Sequence, residues 1–428
     1  MKIVLPALLA AAAIAPATAA PADDAATYVQ AGRLLADPGT GRVETEKTIV
    51  VRGGRVAEIR DGYVGEGKVV DLRDAFVMPG FIDSHVHITG ESNPNERSDA
   101  LTKSATDSAF DGVVYAGRTL RAGFTTVIDL GGEPEAIYGL RNAIAAGKVE
   151  GPRIIAAGGV AAHGGHGDIH GYRQEILDLY RSPTLCSGAD DCARAVRQAV
   201  QSGADVIKTA STGGVMSNTA AGLGQQMSDA ELASLVETAH RLGRKVAAHA
   251  HGTDGVNAAL RAGVDSVEHG TYLDAESIRL FKAKGSYLVP TLLAGDTVKQ
   301  RAETAEWMPA PVRAKARQVG PLMVDALRRA HKAGVKIAFG TDSGVSAHGD
   351  NAREFALMVE AGMTPLEAIR AATVWAADHA GLTNEIGTLA PGKAADIVAV
   401  KGDPLTNIRA LEATAFVMKG GAVAKAPQ

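Results

Sequence analysis

Short apolar runs alternate with helical patterns through most of the chain. The β-rich runs fall at residues 81–88, 125–130, 153–157, 205–209, 245–250, 266–269, 287–291 and 336–340. Between them lie Ala-rich stretches with apolar positions at helical spacing. In 229–242, for example, Leu232, Leu235, Val236 and Ala239 share one face. Gly123, Gly203, Gly243, Gly263 and Gly334 stand where those helices should stop. Each strand is apolar almost throughout, so the pattern predicts an α/β fold with a parallel sheet covered on its outside, and eight units close a (β/α)8 TIM barrel. The flanks read differently. Residues 28–71 and 395–425 carry short strands and turns without a long helix, which predicts a small discontinuous β-sandwich formed by the two chain ends. The expected boundaries are 20–80 and 387–428 for the sandwich and 81–386 for the barrel.

The chain has 428 residues, 46% hydrophobic and 21% charged, with 44 basic against 48 acidic side chains. That balance excludes extended disorder, and a net charge of −4 with interspersed signs excludes the electrostatic footprint of a nucleic-acid binder. The expected partner is a small molecule. Residues 1–19 read as a signal peptide: Lys2, an apolar stretch too short to span a bilayer, then small residues around Ala19. An exported protein, periplasmic or secreted and free of the membrane after cleavage, follows. The two cysteines, Cys186 and Cys192, are separated by turn formers and have no flanking metal ligands, so a local disulfide is expected in an oxidising compartment.

In such a barrel the chemistry gathers where strands end. The first run ends in Asp83-Ser84-His85-Val86-His87, and alternation puts both imidazoles on one face, able to bind one metal. The fourth ends in Lys208, an amine among apolar neighbours; a carbon-dioxide-carboxylated lysine there would become an anionic ligand able to bridge two metals. The fifth carries His249 and His251 on one face, leaving open which is the ligand, and the sixth ends in His269. After the eighth comes Asp342, with Arg353 and Glu354 further on as lesser candidates. A glycine-rich loop with His163, His166 and Asp168 follows the third run; it lacks the Gly-Lys-Ser/Thr of a phosphate loop, but either histidine could reach a substrate carbonyl. Gly213, Gly214, Ser217 and Asn218 are similarly placed after the fourth, and Val215, Met216, Leu223 and Met227 suggest an apolar substrate mouth.

With these residues in place, the sequence resembles the amidohydrolase superfamily. The likeness rests on Val77-Met78-Pro79-Gly80-Phe81-Ile82-Asp83-Ser84-His85-Val86-His87, on Gly340-Thr341-Asp342-Ser343-Gly344, and on the closing segment from Gly387 to Val398. Within it, Ile207-Lys208, Ala248-His249-Ala250-His251-Gly252 and Val267-Glu268-His269-Gly270 look like the binuclear branch of Xaa-Pro and Xaa-Arg/Lys dipeptidases, and the whole chain like bacterial amidohydrolases that hydrolyse ochratoxin A. The resemblance implies that His85, His87 and Asp342 bind one divalent ion, that His249 and His269 bind a second, and that N6-carboxylated Lys208 bridges them. It makes His251 a substrate contact, His166 the better of the two loop histidines for polarising the carbonyl, and a homo-oligomer, with an octamer compatible with the family, the expected assembly.

The chemistry such groups permit is amide hydrolysis with two metal ions, zinc suiting the N/O donors, by a metal-bridging hydroxide with Asp342 as acid and base. The expected substrates are N-acyl-L-amino acids or dipeptides, and the resemblance, with the apolar mouth, implies ochratoxin A among them, split to ochratoxin alpha and L-phenylalanine. A cyclic-amide or lactone hydrolase would share the same metal shell. A mononuclear deaminase is disfavoured by Lys208, and a metal-binding scaffold by an aspartate placed for proton transfer.

Overall fold

The computed structural model describes residues 26–169, 171–217 and 222–427; the expected signal peptide and Asn218 lie outside them. Eight parallel strands form one curled sheet: β1 (Phe81–Val86), β2 (Phe124–Asp129), β3 (Arg153–Gly159), β4 (Val206–Ala210), β5 (Val246–Ala250), β6 (Ser266–His269), β7 (Tyr287–Val289) and β8 (Lys336–Ile337). Each pairs with its sequence neighbour. β8 is shorter than its apolar run because the following backbone changes partners. Phe339 N donates to Ala371 O, while Ser84 N donates to Phe339 O at 2.8 Å. Asp342 N and His85 O, then His87 N and Ser343 O, continue that contact at 2.7 Å each. The sheet therefore curls until β1 lies beside the segment that follows β8, an α/β arrangement of the TIM-barrel kind.

The helices between strands start and stop on local chemistry. Helix Asp229–Arg241 begins at a capping box in which Ser228 accepts from Glu231 N, and it buries Leu232, Leu235, Val236 and Ala239. Helices Ala189–Ser202 and Thr253–Ala262 end on Gly203 and Gly263, at φ 112° and 95°, a left-handed conformation that a side chain would strain. Phe81, Phe124, Phe339 and Phe355 pack together in the main core, Phe339 and Phe355 with ring centres 4.5 Å apart. Among the described residues no helix is long and apolar enough to cross a membrane.

The two chain ends pair in one continuous sheet of seven strands: Thr27–Leu34, Glu44–Arg52, Arg55–Asp61, Lys68–Pro79, Ile397–Val400, Thr414–Lys419 and Ala422–Lys425. Lys68–Pro79 lies parallel to Thr27–Leu34 and antiparallel to Ile397–Val400. All seven are linked through hydrogen bonds, where a sandwich of two sheets is the sequence expectation. Alternation explains how the sheet attaches. Ala75, Val77, Ile397 and Ala399 enter its own apolar cluster, whereas Phe76, Met78, Val398 and Val400 pack into the main core.

Candidate metal centre

Strand ends deliver the ligating groups to one mouth. His85 and His87 leave β1 with ring centres 5.4 Å apart, and Asp342 meets both, its Oδ1 at 3.4 Å from His85 Nε2 and 3.1 Å from His87 Nε2. His249, His251 and His269 come from the ends of β5 and β6, with neighbouring ring centres 4.6 to 4.9 Å apart. Two groups offer ligand atoms within 4.8 Å of one another, His85 with His269 and Asp342, and His249 with His251 and His269. His269 belongs to both, so two ion positions would adjoin. Geometry leaves His249 and His251 both close enough to serve.

Each ring is aimed by a partner on its far nitrogen. Glu268 holds His85 Nδ1 at 2.8 Å, Gly131 O holds His87 Nδ1 at 2.7 Å, Thr271 holds His251 Nδ1 at 2.7 Å and Thr291 holds His269 Nδ1 at 2.7 Å. All four thus point Nε2 inward, as second partners do around metal-binding imidazoles. His249 is turned the other way, Nε2 lying 3.3 Å from Gly213 O, so its Nδ1 is the remaining donor. Among the described residues His85 Nε2 is buried with no hydrogen-bond partner. A buried lone pair with nothing to accept is costly, and a divalent ion answers it. The donor set fits the metal that the sequence implies.

Electrostatics agree with that reading. Burial drives His85, His249 and His269 well below the usual imidazole range, toward the neutral form a metal requires. Burial likewise lowers Lys208, against the pull of Glu268 and Asp342. Burial raises the Asp342 carboxyl, but His85, His87 and Lys208 outweigh it and leave it at about 2, ionised. The backbone is strained here as well. His269, Thr291 and Asp342 have φ of 70°, 50° and 57°, and only Glu46 among the other described non-glycine residues is left-handed. At β6 the turn lets Glu268 and His269, which simple alternation would place on opposite faces, both serve the site.

The mouth opens into a cavity of about 1200 Å³ lined by His166, Lys208, Val215 and Met216 together with the histidine–aspartate cluster. His166 lies against His249 with ring centres 4.1 Å apart and planes tilted by 35°, and is held by Ser217 Oγ at 2.6 Å. Three expected residues do not line it. His163 is exposed and faces Asp168 at 3.9 Å, because the loop turns outward after Ala162. Met227 is buried beneath β4 with its sulfur at 3.2 Å from Thr209 Oγ1, and Leu223 packs on the core. The two lesser candidates also stand elsewhere. Arg353 pairs with Asp296 and Asp350 near the surface, and Glu354 accepts from Leu292 N and Leu293 N, holding the start of helix Leu292–Thr304.

Several supporting residues escaped the sequence reading. Glu268, Thr271 and Thr291 act through the histidines, and Asp83 ties β1 to the Asp342 turn through Thr341 Oγ1 at 2.6 Å and Asn351 Nδ2 at 2.8 Å. Asp129 accepts from Gly131 N and so steadies the carbonyl that holds His87. For Glu268, Asp83 and Asp129 the only local signal is a polar residue inside an apolar strand, and Thr271 and Thr291 lie just beyond strand ends. Cys186 and Cys192 are joined in a disulfide, with Cα atoms 4.9 Å apart.

Comparison with known proteins gives a consistent set. A family model described as the amidohydrolase family matches residues 76–425. Ochratoxinase from Aspergillus niger is 34% identical over 443 residues, covering 96% of this chain and 89% of its own. Among solved structures, a Xaa-Pro dipeptidase with methionine bound in its active site is 38% identical, with a TM-score of 0.89 over 93% of this chain and 99% of that one. The structure of A. niger ochratoxinase is 30% identical, with a TM-score of 0.84 over 94% of this chain and 96% of that one.

Proposed function

The chain belongs to the amidohydrolase family, and from that premise we propose that it is a binuclear metallohydrolase of N-acyl-L-amino acids and dipeptides, with ochratoxin A among its substrates. The observation that carries this reading is the inward aim of the histidines around Asp342 and half-buried Lys208, each ring set by its own far-side contact. His85, His87 and Asp342 would hold one ion, His249 and His269 the other, and carboxylated Lys208 would stand between them. The carbamate forms when the neutral Lys208 amine adds to carbon dioxide, making an N–C bond and releasing a proton. When bound, zinc or a similar divalent ion supplies Lewis acidity toward the scissile carbonyl and brings the pKa of water near neutrality.

The chain's own residues do the rest. Asp342, ionised at rest, takes the proton of the attacking water and returns it to the departing amine, so that water and amide become a carboxylic acid and an amine. His166 and His251 face the substrate, His166 donating to the carbonyl oxygen. Ochratoxin A would yield ochratoxin alpha and L-phenylalanine; the likeness to ochratoxinase and the apolar Val215 and Met216 at the cavity support this choice. The likeness to a Xaa-Pro dipeptidase supports the wider dipeptide class. The leader at 1–19 and the disulfide support export, and the family resemblance supports a homo-oligomer.

The test is a hydrolysis screen of zinc- and bicarbonate-supplied enzyme over dipeptides, N-acyl amino acids and ochratoxin A. Phenylalanine release from ochratoxin A is expected, together with about two ions per chain by elemental analysis. Asp342→Asn should lose roughly 10² to 10⁴ in rate. Dipeptide cleavage with ochratoxin A intact would remove that substrate alone, and a fully active Asp342→Asn would remove the mechanism. A crystallographic map ending at a free Lys208 ammonium in fully metallated enzyme would remove the carbamate.

A further inference from the structure

One wall of the cavity is built unlike the others. Helix Gln174–Leu179 buries none of its residues, yet Leu179 and Tyr180 at its end line the cavity, 72% and 41% exposed. A helix without a buried face has no packing of its own to hold it. What holds this one lies just beyond. Arg194 donates to Pro183 O at 2.9 Å and to Leu185 O at 3.1 Å. Leu185–Cys186 pairs with Ala161–Ala162, and the disulfide fixes Cys186 to helix Ala189–Ser202. Three separate devices thus anchor a segment whose apolar side chains meet no protein core. Val298, Val319 and Met323 add further apolar lining to the same cavity.

Ordinary small-molecule pockets run to about 300–1,000 Å³, and a dipeptide fills only part of that range. A cavity of about 1200 Å³ leaves space beyond a dipeptide, bordered by Leu179 and Tyr180. Because this wall and the histidine cluster border one continuous cavity, a substrate cleaved at the histidines can extend to the wall. We propose that Leu179 and Tyr180 form a specificity wall that selects large aromatic acyl groups on the substrate, anchored by Arg194 and the Cys186–Cys192 bond. The proposal rests on the hydrolase reading above and adds to it which residues choose the acyl half.

The experiment compares the wild type with Leu179→Ser/Tyr180→Ser, a double change at exposed positions outside the apolar core. Both are assayed on N-(2-naphthoyl)-L-phenylalanine and N-acetyl-L-phenylalanine, and both are titrated with 2-naphthoic acid by calorimetry. The ratio of kcat/KM for the naphthoyl over the acetyl substrate is expected to fall at least tenfold, through KM, with a matching loss of naphthoate affinity. An unchanged ratio and unchanged naphthoate binding would overturn the wall. So would a changed oligomeric mass by light scattering with naphthoate binding intact, since the two residues would then be a contact between copies. If the wild type cleaves neither amide, the hydrolase reading fails, and the naphthoate titration still decides for or against the wall.

Discussion

Gly214 lacks a side chain because His166 occupies the space one would need: a Cβ there would lie 2.5 Å from the imidazole. Gly214→Ala should therefore displace His166, lowering kcat/KM by roughly 10- to 100-fold while elemental analysis finds the same metal content. The glycine run was legible in the sequence, but its reason was not, since the ring it yields to comes from the loop after another strand. A second prediction concerns His379, whose Nδ1 is buried without a hydrogen-bond partner among the described residues and which burial depresses to about 4. Its folded-state pKa lies below the unfolded value near 6.5, so its contribution to stability is present above that value and is lost as pH falls through about 4. At most about 3 kcal/mol is involved. Thermal unfolding should show a smaller drop in Tm between pH 7 and pH 4.5 for His379→Gln than for the wild type; equal drops would assign the acid sensitivity to other groups.

At the scale of elements, the pattern of apolar runs located the strand ends that carry His85, His87, Lys208, His249 and His269, and alternation gave His85 and His87 a common face, because a strand's faces are set by local geometry. It failed where the chain leaves the strand. Met227 is expected at the mouth as an apolar neighbour of Val215 and Met216, but the segment folds back and buries it against Thr209. His163 and His166 are three residues apart in one loop, and only the turn between them sends one outward and the other over the histidine cluster. The element most open to test is the stapled Leu185–Cys186 strand. Cys186→Ser/Cys192→Ser should lower stability by about 2 kcal/mol or a little more, as expected for a short closed loop, measured by denaturant unfolding. Labelling of the unreduced, denatured wild type should find no free thiol.

Over the whole molecule, an ion that binds the folded chain stabilises it by an amount that grows with the logarithm of its concentration over Kd, and the candidate ligands come from β1, β5, β6 and the segment after β8. Stripping metal with a chelator should abolish turnover and lower Tm by several degrees, both restored by zinc; an unchanged Tm would mean the ligands hold no ion in the folded protein. The strand count, the parallel order, the inward faces and the ligand candidates could be read from the sequence alone, since hydrophobic period and residue type are properties of a few neighbouring residues. The pairing of the two chain ends was legible too, though not that all seven strands join in one sheet. Only the tertiary structure decided which groups stand behind the imidazoles. Glu268 meets His85 across 183 residues and Asn351 meets Asp83 across 268, contacts that no local pattern encodes. The left-handed turns at His269 and Asp342 belong to the same class: non-glycine residues adopt them at a cost of about 1–3 kcal/mol each, and only the surrounding curled sheet can hold them there.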